Sequence, residues 1–318
     1  MTHIGYTLSS EEHEPNDLVD HARRAEETGF DFVSVSDHYH PWVSAQGHSP
    51  FVWGTLGGVA AATEAVDVGV GVAAPIMRMH PAVYAQAAAT AAAMFDGREF
   101  FFGVGTGENL NEHVLGDHWP EHAVRLEMLE EAVAVIRKLW SGEEVSHHGE
   151  HYTVENARLF TLPEEEPPIC VSAYGDRTAR SAAEMGDGFW SVGPQETLET
   201  WADHGGEGPR FCQLHACVAE DDETGVRTAH EQWPNSGLPG ELSSVLPTPA
   251  FFEQATQMVS ADDIREGSIM TGPDAQQHID SIQTAIDAGY DHVYVHQIGD
   301  DQEAVFDLYR EEVLPSFS

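Results

Sequence analysis

Three stretches of this 318-residue chain repeat one local order, in which a helical pattern ends at a glycine and a β-type run follows. They lie at 25–33, 183–190 and 285–293. Glycine suits the end of a helix because it adopts the left-handed C-cap conformation without steric penalty. Repeated helix–glycine–strand units are typical of αβ units that feed a parallel sheet.

Eight candidate strands alternate with helical patterns along the chain. The strands are predicted to begin near Ile4, Phe32, Val68, Glu99, Ile169, Phe189, Phe211 and His292. Helices are predicted at 16–28, 52–65, 81–95, 177–185, 196–204, 273–288 and 302–313. This alternation, in a chain somewhat longer than about 250 residues, predicts an α/β fold of the (β/α)8 TIM-barrel type with insertions. A doubly wound open sheet is the alternative, but the first strand leads into residues 9–12, which form no glycine-rich phosphate loop.

Two insertions interrupt the alternation within what we predict to be a single domain over residues 1–318. Residues 112–167 are predicted to hold an amphipathic helix at 121–140 and a hairpin around 147–149. Residues 220–265 contain four prolines and are predicted to form an irregular excursion over the active-site face. Long loops inside compact domains are usually lids or binding walls.

The charge balance excludes some classes of protein. The chain has 54 acidic and 14 basic residues, a net charge of −40, and 41% hydrophobic residues. The scattered cations form no basic patch for nucleic acid, and the hydrophobic content is too high for a disordered acidic chain. Such self-repulsion is relieved at molar salt, where the Debye length is about 3 Å, so we expect a halophilic protein.

Cellular location is also constrained by sequence pattern. No apolar run approaches the roughly 18 residues of a membrane span, and the N-terminus lacks the pattern of a signal peptide. The odd number of cysteines, three, argues against a disulfide framework, and their spacing is not that of a metal site. We therefore expect a cytoplasmic protein without membrane or nucleic-acid partners.

The second predicted strand ends in an unusual group of side chains. Asp37, His38, His40 and Trp42 follow an apolar run, and Pro41 closes the turn. Chemistry in parallel barrels takes place on the loops that follow the strands. A carboxylate, two imidazoles and an indole within six positions predict a site, although a polar turn capped by Asp37 is the simpler alternative.

Glycines mark the next two strands. Gly69 and Gly71 lie in the third strand, and the fourth ends in three alternate glycines at 103, 105 and 107, followed by Glu108. Glycine in a strand indicates close approach of a ligand or of another backbone. The pattern predicts a slot for a flat ligand, with tight packing as the alternative. Glu108 could move protons there, or it could simply begin a helix.

The fifth strand ends at residues 172–177, Ser-Ala-Tyr-Gly-Asp-Arg, just before a predicted helix. The free N–H groups of a helix N-terminus bind phosphate. This stretch is therefore a candidate phosphate site, although Asp176 and Arg177 are equally typical of a solvated first turn.

Five segments carry a resemblance to a known family: 36–42, 74–82, 103–111, 138–140 and 186–188. Together they resemble the bacterial-luciferase-like barrel superfamily, and within it the dehydrogenases that depend on the deazaflavin coenzyme F420. These include glucose-6-phosphate dehydrogenases and secondary-alcohol dehydrogenases. The resemblance covers nearly the whole chain to about residue 194, is weak afterwards, and returns after residue 262.

The resemblance implies a function and a set of site residues. The protein would transfer a hydride between coenzyme F420 and the C–OH group of an alcohol or sugar, as a homodimer. His38 would act on the substrate hydroxyl, Trp42 would pack at the reacting centre, Glu108 would exchange a proton with the coenzyme, and Glu11 would support the substrate pocket. The implied coenzyme contacts are Asp37, Gly71, Val72, Thr106, Gly107, Asn111, Ser172, Ala173, Tyr174 and Gly175. A non-prolyl cis peptide is implied between Gly71 and Val72.

The substrate is left open by the sequence. Sugar-phosphate enzymes of the family hold the phosphate with cationic side chains, whereas this chain has Pro194 and Gln195 after its sixth strand. Gln195 and Arg265 are the candidate substrate contacts. A flavin mononucleotide monooxygenase of the same superfamily is one alternative. A metal-dependent barrel hydrolase using His38, His40 and His296 is another, and a binding protein without turnover is a third.

Overall fold

The structure, a computed structural model, describes residues 2–317 and is built around a closed ring of eight parallel strands. The strands in chain order are β1 (His3–Leu8), β2 (Phe32–Val35), β3 (Asp67–Ala73), β4 (Phe100–Val104), β5 (Val145–His148), β6 (Thr153–Ala157), β7 (Ile169–Ser172), β8 (Gly188–Val192), β9 (Arg210–Cys217), β10 (Met270–Thr271) and β11 (His292–Gln297). The ring runs β1, β2, β3, β4, β7, β8, β9, β11, and β11 pairs with β1 to close it. The predicted (β/α)8 barrel is confirmed.

Helices cover the outside of the ring. They are α1 (Pro15–Thr28), α2 (Val52–Ala62), α3 (Pro81–Met94), α4 (Asn109–Glu112), α5 (His122–Trp140), α6 (Asp176–Met185), α7 (Thr197–Asp203), α8 (Asp222–Gln232), α9 (Leu242–Val245), α10 (Pro249–Thr256), α11 (Ala261–Arg265), α12 (Ala275–Asp287) and α13 (Gln302–Leu308). Within residues 2–317, none of them combines the length and apolar character needed to cross a bilayer.

Two of the three helix-ending glycines behave as predicted. Gly29 and Gly289 have φ of 103° and 106°, the left-handed conformation that glycine adopts freely. The prediction is wrong for Gly186, whose φ of −98° is extended backbone. Glycine is needed there for another reason, because a Cβ would lie 2.8 Å from a methyl of Val171 and 3.0 Å from the carbonyl of Ala182.

The core has two layers because the parallel strands are buried on both faces. Between the ring and the helices lies a large aliphatic layer that includes Val33, Val68 and Val70. Inside the ring an aromatic group fills the barrel, formed by Phe32, Phe101, Cys170, Trp190, Phe211 and Tyr294. The site therefore lies above a packed aromatic floor.

The two insertions have different structures. In the first, α5 packs against α3, and the carboxylate of Glu131 accepts hydrogen bonds from the Nε2–H of His147 and the backbone of Tyr152, both at 2.9 Å. These bonds hold the β5–β6 hairpin in place. The second, predicted to be irregular, contains α8 to α11. Pro249 begins one of these helices, because proline is tolerated in the first turn, where no N–H partner is required.

Candidate active site

The residues at the carboxyl ends of the barrel strands surround a cavity of about 1510 Å³. Eleven of the predicted site residues line it: Glu11, His38, Trp42, Gly71, Val72, Thr106, Glu108, Ser172, Tyr174, Gly175 and Gln195. Five do not: Asp37, Gly107, Asn111, Ala173 and Arg265. The position agrees with the general location of active sites in (β/α)8 barrels.

His38 and Glu11 form an imidazole–carboxylate pair at the ends of β2 and β1. His38 Nε2 lies 3.3 Å from Glu11 Oε1, and the two side chains are 9% and 4% exposed. His38 Nδ1 lies 3.1 Å from the carbonyl oxygen of His40, which only accepts, so Nδ1 carries a proton. Nε2 makes no hydrogen bond to Glu11 within the described residues, so its lone pair can take up a proton, and the nearby carboxylate stabilises the resulting imidazolium.

Glu11 is held in its ionised form by its neighbours. Burial by itself raises the pKa of this carboxyl, but the adjacent His38 and the hydroxyl of Ser36, which donates at 2.6 Å, lower the pKa below its ordinary value. The hydroxyl of Ser9 donates to the same carboxylate at 3.2 Å. Glu11 is thus a fixed negative charge beside the imidazole of His38.

Trp42 forms an apolar wall beside His38. Its ring centroid lies 4.9 Å from that of His38 and 5.2 Å from that of Phe252 on α10. The second insertion therefore reaches the active-site face, and the indole excludes water from one side of the imidazole.

Glu108 follows a tight turn after β4. Gly107 has φ of 70°, a conformation that side-chain-bearing residues adopt rarely. The amide of Asn111 donates to Glu108 Oε2 at 3.3 Å, while its oxygen accepts from the backbone of Tyr39 at 2.9 Å. Asn111, predicted as a coenzyme contact, instead ties the loop that carries Glu108 to the loop that carries His38.

Asp37 belongs to a buried ionic network behind the cavity. The Arg78 guanidinium lies 2.9 Å from Asp37 and 3.5 Å from Glu112, and both carboxylates are 1% exposed. The hydroxyl of Tyr84 also donates to Asp37. Burial raises the pKa of Glu112 to about 7 in spite of Arg78. Asp37 therefore acts on the site by anchoring the backbone next to His38.

The opposite side of the cavity carries hydrogen-bond donors for an anion, although Glu121, Asp176 and Glu241 line it as well. Gly175 precedes α6 and has no side chain to cap it, so the first N–H groups of this ten-residue helix are free for a ligand. Arg177 in its first turn and Arg125 from α5 also line the cavity. Arg125 Nε donates to the carbonyl of Thr106 at 3.2 Å and so links this side to the β4 loop.

The predicted slot against the glycines of β3 and β4 is wrong for Gly69 and Gly103, which do not line the cavity. A Cβ at either position would lie within 3.1 Å of the indole of Trp190, and one at Gly71 would lie 2.5 Å from it. Gly69 and Gly103 therefore make room for Trp190, as the packing alternative expects, whereas Gly71 adjoins the indole and also lines the cavity. Val72 follows a cis peptide bond after Gly71, as the resemblance implied.

The predicted substrate contacts separate in the structure. The backbone N–H of Gln195 donates to Tyr290 at 3.0 Å, and this residue lines the cavity. Arg265 lies on α11, where its guanidinium is 2.8 Å from Asp262 and 3.7 Å from Glu223. Arg265 is therefore occupied at the surface and does not reach the site.

Sequence reasoning missed several polar side chains of the cavity. His215 and Gln213 come from β9, and Arg125 comes from an insertion helix that carried no motif. For Gln213 and His215 the only sequence signal is their alternate placement in the otherwise apolar run from Phe211 to Cys217. His296 at the end of β11 was identified only as a possible metal ligand.

The arrangement does not supply a metal centre of the kind that a barrel hydrolase needs. Across residues 2–317, no three or more His, Cys, Asp or Glu side chains are grouped to hold an ion. His40 Nδ1 bonds to the carbonyl of Leu110 at 2.9 Å, and its ring stacks on His113. His38 and His40 thus have separate partners and do not converge.

Comparison with known proteins agrees with the predicted resemblance. The family model described as luciferase-like monooxygenase matches residues 1–292. The F420-dependent glucose-6-phosphate dehydrogenase of Microbacterium testaceum is 33% identical over 98% of this chain and 96% of that protein. The corresponding protein of Kribbella flavida is 35% identical, with 98% and 97% covered. An F420-dependent secondary alcohol dehydrogenase in complex with an F420–acetone adduct superposes with a TM-score of 0.90 at 30% identity, covering 98% of both chains. This chain belongs to the luciferase-like monooxygenase family.

Proposed function

We propose that this protein is an F420-dependent oxidoreductase that transfers a hydride between the coenzyme and the C–OH group of an alcohol or sugar. The observation that carries the proposal is one cavity with the His38–Glu11 pair at one side and a free helix N-terminus with two arginines at the other. Relatives and a structural neighbour named as F420-dependent dehydrogenases support it.

The cavity fits a large anionic coenzyme together with a substrate. Its volume of about 1510 Å³ exceeds the roughly 300–1,000 Å³ of common ligand pockets. Ser172, Tyr174, Gly175 and the N-terminus of α6 would hold the coenzyme's phosphate. Gly71, Val72 and Thr106 would hold its ring.

The side chains have distinct roles in the proposed reaction. When bound, the deazaflavin supplies the carbon that accepts or gives the hydride. His38 Nε2 removes the proton of the substrate hydroxyl, and Glu11 stabilises the imidazolium that forms. Glu108 exchanges a proton on the other side of the cavity, while Trp42 excludes water and fixes the position of the substrate.

The proposed activity has a direct optical test. Incubation with oxidised F420 and a panel of secondary alcohols, aldoses and sugar phosphates at high salt should remove the near-violet absorbance of the coenzyme. Flavin mononucleotide in place of F420 is the control. Reduction of neither coenzyme would contradict the proposal. Tighter binding of flavin mononucleotide than of F420 would also contradict it and would favour the monooxygenase alternative.

We also propose that the protein works in a salt-rich cytoplasm, because a net charge of −40 needs screening. That it works as a homodimer is proposed from the family resemblance alone. The melting temperature should rise by on the order of 10 °C between 0.1 M and 2 M KCl, since screening shortens the range of the repulsion to a few ångströms. Differential scanning calorimetry measures this rise.

A variant with fewer surface carboxylates tests whether charge repulsion causes the salt dependence of the melting temperature. Glu164, Glu165 and Glu166 are three consecutive exposed carboxylates. Replacing all three with glutamine should raise the melting temperature in low salt and have little effect at 2 M KCl. A melting temperature that is independent of salt in both proteins would refute the halophilic interpretation.

A further inference from the structure

A second imidazole–carboxylate pair lies next to the His38–Glu11 pair. Its carboxylate belongs to Glu12, the residue that follows Glu11 in the sequence, and its imidazole to His296. His296 Nε2 lies 2.6 Å from Glu12 Oε2, with the side chains 1% and 3% exposed. The other ring nitrogen of His296 lies 2.8 Å from His215 Nδ1. Trp233 packs on both imidazoles, with ring centroids 4.4 Å and 5.9 Å away. The hydrogen bonds from Glu12 to His296 and from His296 to His215 therefore fix the orientation of the His215 ring at the cavity.

His215 presents an uncharged polar atom to the cavity. Burial, reinforced by the adjacent His296, lowers the pKa of His215 to about 3, so this imidazole is neutral at physiological pH. Its Nδ1 is engaged by His296, whereas its Nε2 has no hydrogen-bond partner among residues 2–317. In a neutral ring one nitrogen donates and the other accepts. A hydroxyl group, which does both, matches Nε2 in either tautomer.

Two more neutral groups without partners lie on the same side. Thr7 is 6% exposed and lines the cavity, and its hydroxyl oxygen, itself buried just behind the cavity surface, has no hydrogen-bond partner within the described residues. The oxygen of the Gln213 amide accepts from Tyr294 at 3.2 Å, which leaves its NH₂ group open to the cavity. We call Thr7, Gln213 and His215 the neutral wall. A substrate hydroxyl bound at the NH₂ group of Gln213 or at His215 Nε2 would supply the hydrogen-bond partner that each of these groups lacks.

The charges around the neutral wall disfavour a phosphate. The wall lies on β1 and β9, and the adjoining carboxylates are Glu11 and Glu12. The arginines that line the cavity, Arg125 and Arg177, belong to α5 and α6, which follow β4 and β7, two to four strands around the ring from β1 and β9. A phosphate dianion normally needs Arg or Lys contacts, and it can only accept hydrogen bonds.

We propose that the neutral wall binds the hydroxyl groups of an uncharged polyhydroxy substrate, an aldose or a polyol. His215, through its Nε2, selects for this class of substrate. This inference rests on the proposed function, because it names the substrate class of the same site. His215 is a specificity-determining residue, and His38 remains the group that takes the proton.

Ligand binding tests the inference independently of turnover. Isothermal titration calorimetry of the protein–F420 complex should show binding of D-glucose or D-sorbitol, with glucose 6-phosphate at least tenfold weaker. Tighter binding of glucose 6-phosphate, or binding of neither neutral compound, would overturn the inference. Binding without any loss of coenzyme absorbance would support it while refuting the proposed function.

Two variants distinguish the contributions of the two ring nitrogens of His215 to ligand binding. Asparagine places an amide near the Nδ1 position and glutamine places one near the Nε2 position. His215→Asn should weaken the binding of the neutral ligand about tenfold, the scale of one hydrogen bond to a buried group. His215→Gln should weaken it less than threefold, and neither should change the affinity for F420. Equal losses in both variants, or no loss in either, would remove His215 from substrate recognition.

Discussion

Replacement of His38 by alanine is expected to lower turnover about a hundredfold or more, the usual contribution of a positioned general base. The reason is geometric: His40's carbonyl fixes the proton on Nδ1, and Glu11 stands 3.3 Å from Nε2. The other imidazoles that line the cavity are differently placed: His296 is bonded to Glu12 and to His215, and His118 and His122 lie beyond β4, in the loop before α5 and at its start. Steady-state kinetics of F420 reduction would measure the loss.

The control for this variant is His40→Ala. His40 contacts His38 through its backbone carbonyl, which the substitution keeps, and its ring does not line the cavity. Turnover should stay within about threefold of the original protein. The dissociation constant for F420, measured by fluorescence titration, should be unchanged in both variants. Unchanged turnover in His38→Ala would remove this residue from the mechanism.

Replacement of Arg78 by methionine should have the largest effect on stability, a loss of about 3–5 kcal/mol. The guanidinium is 10% exposed and lies between Asp37 and Glu112, so its removal leaves two buried carboxylates without the cation that pairs with them. Methionine keeps most of the side-chain volume, and the loss is therefore electrostatic. Urea denaturation at constant high salt would measure the change in the free energy of unfolding.

Arg137→Met is the matched control for that loss. Arg137 pairs with Asp187 at 2.8 Å, but these side chains are 35% and 41% exposed, and such surface pairs contribute about 0–1 kcal/mol. Because burial raises the pKa of Glu112 to about 7, its carboxyl is largely neutral at pH 6 and charged at pH 8. The loss in Arg78→Met should therefore be smaller at pH 6. A loss no larger than that of the control would contradict the proposed role of Arg78.

The sequence determined the architecture because its signals are local. Alternating helical and strand patterns placed all eight barrel strands within about one to two residues of their observed starts. The polar group that follows β2 indicated the active-site end, since parallel strands bring their carboxyl ends to one face. The family resemblance assigned roles to His38, Glu11, Trp42 and Glu108, all of which line the cavity.

Only the tertiary structure decided which groups act together, because those contacts join strands far apart in the chain. Glu11 and Glu12 are neighbours in sequence, yet one pairs with His38 and the other with His296. The glycines of β3 and β4 are explained by Trp190, a residue of β8 that reaches across the barrel. Pairings of this kind depend on side-chain packing inside a closed ring, which no local pattern in the sequence encodes.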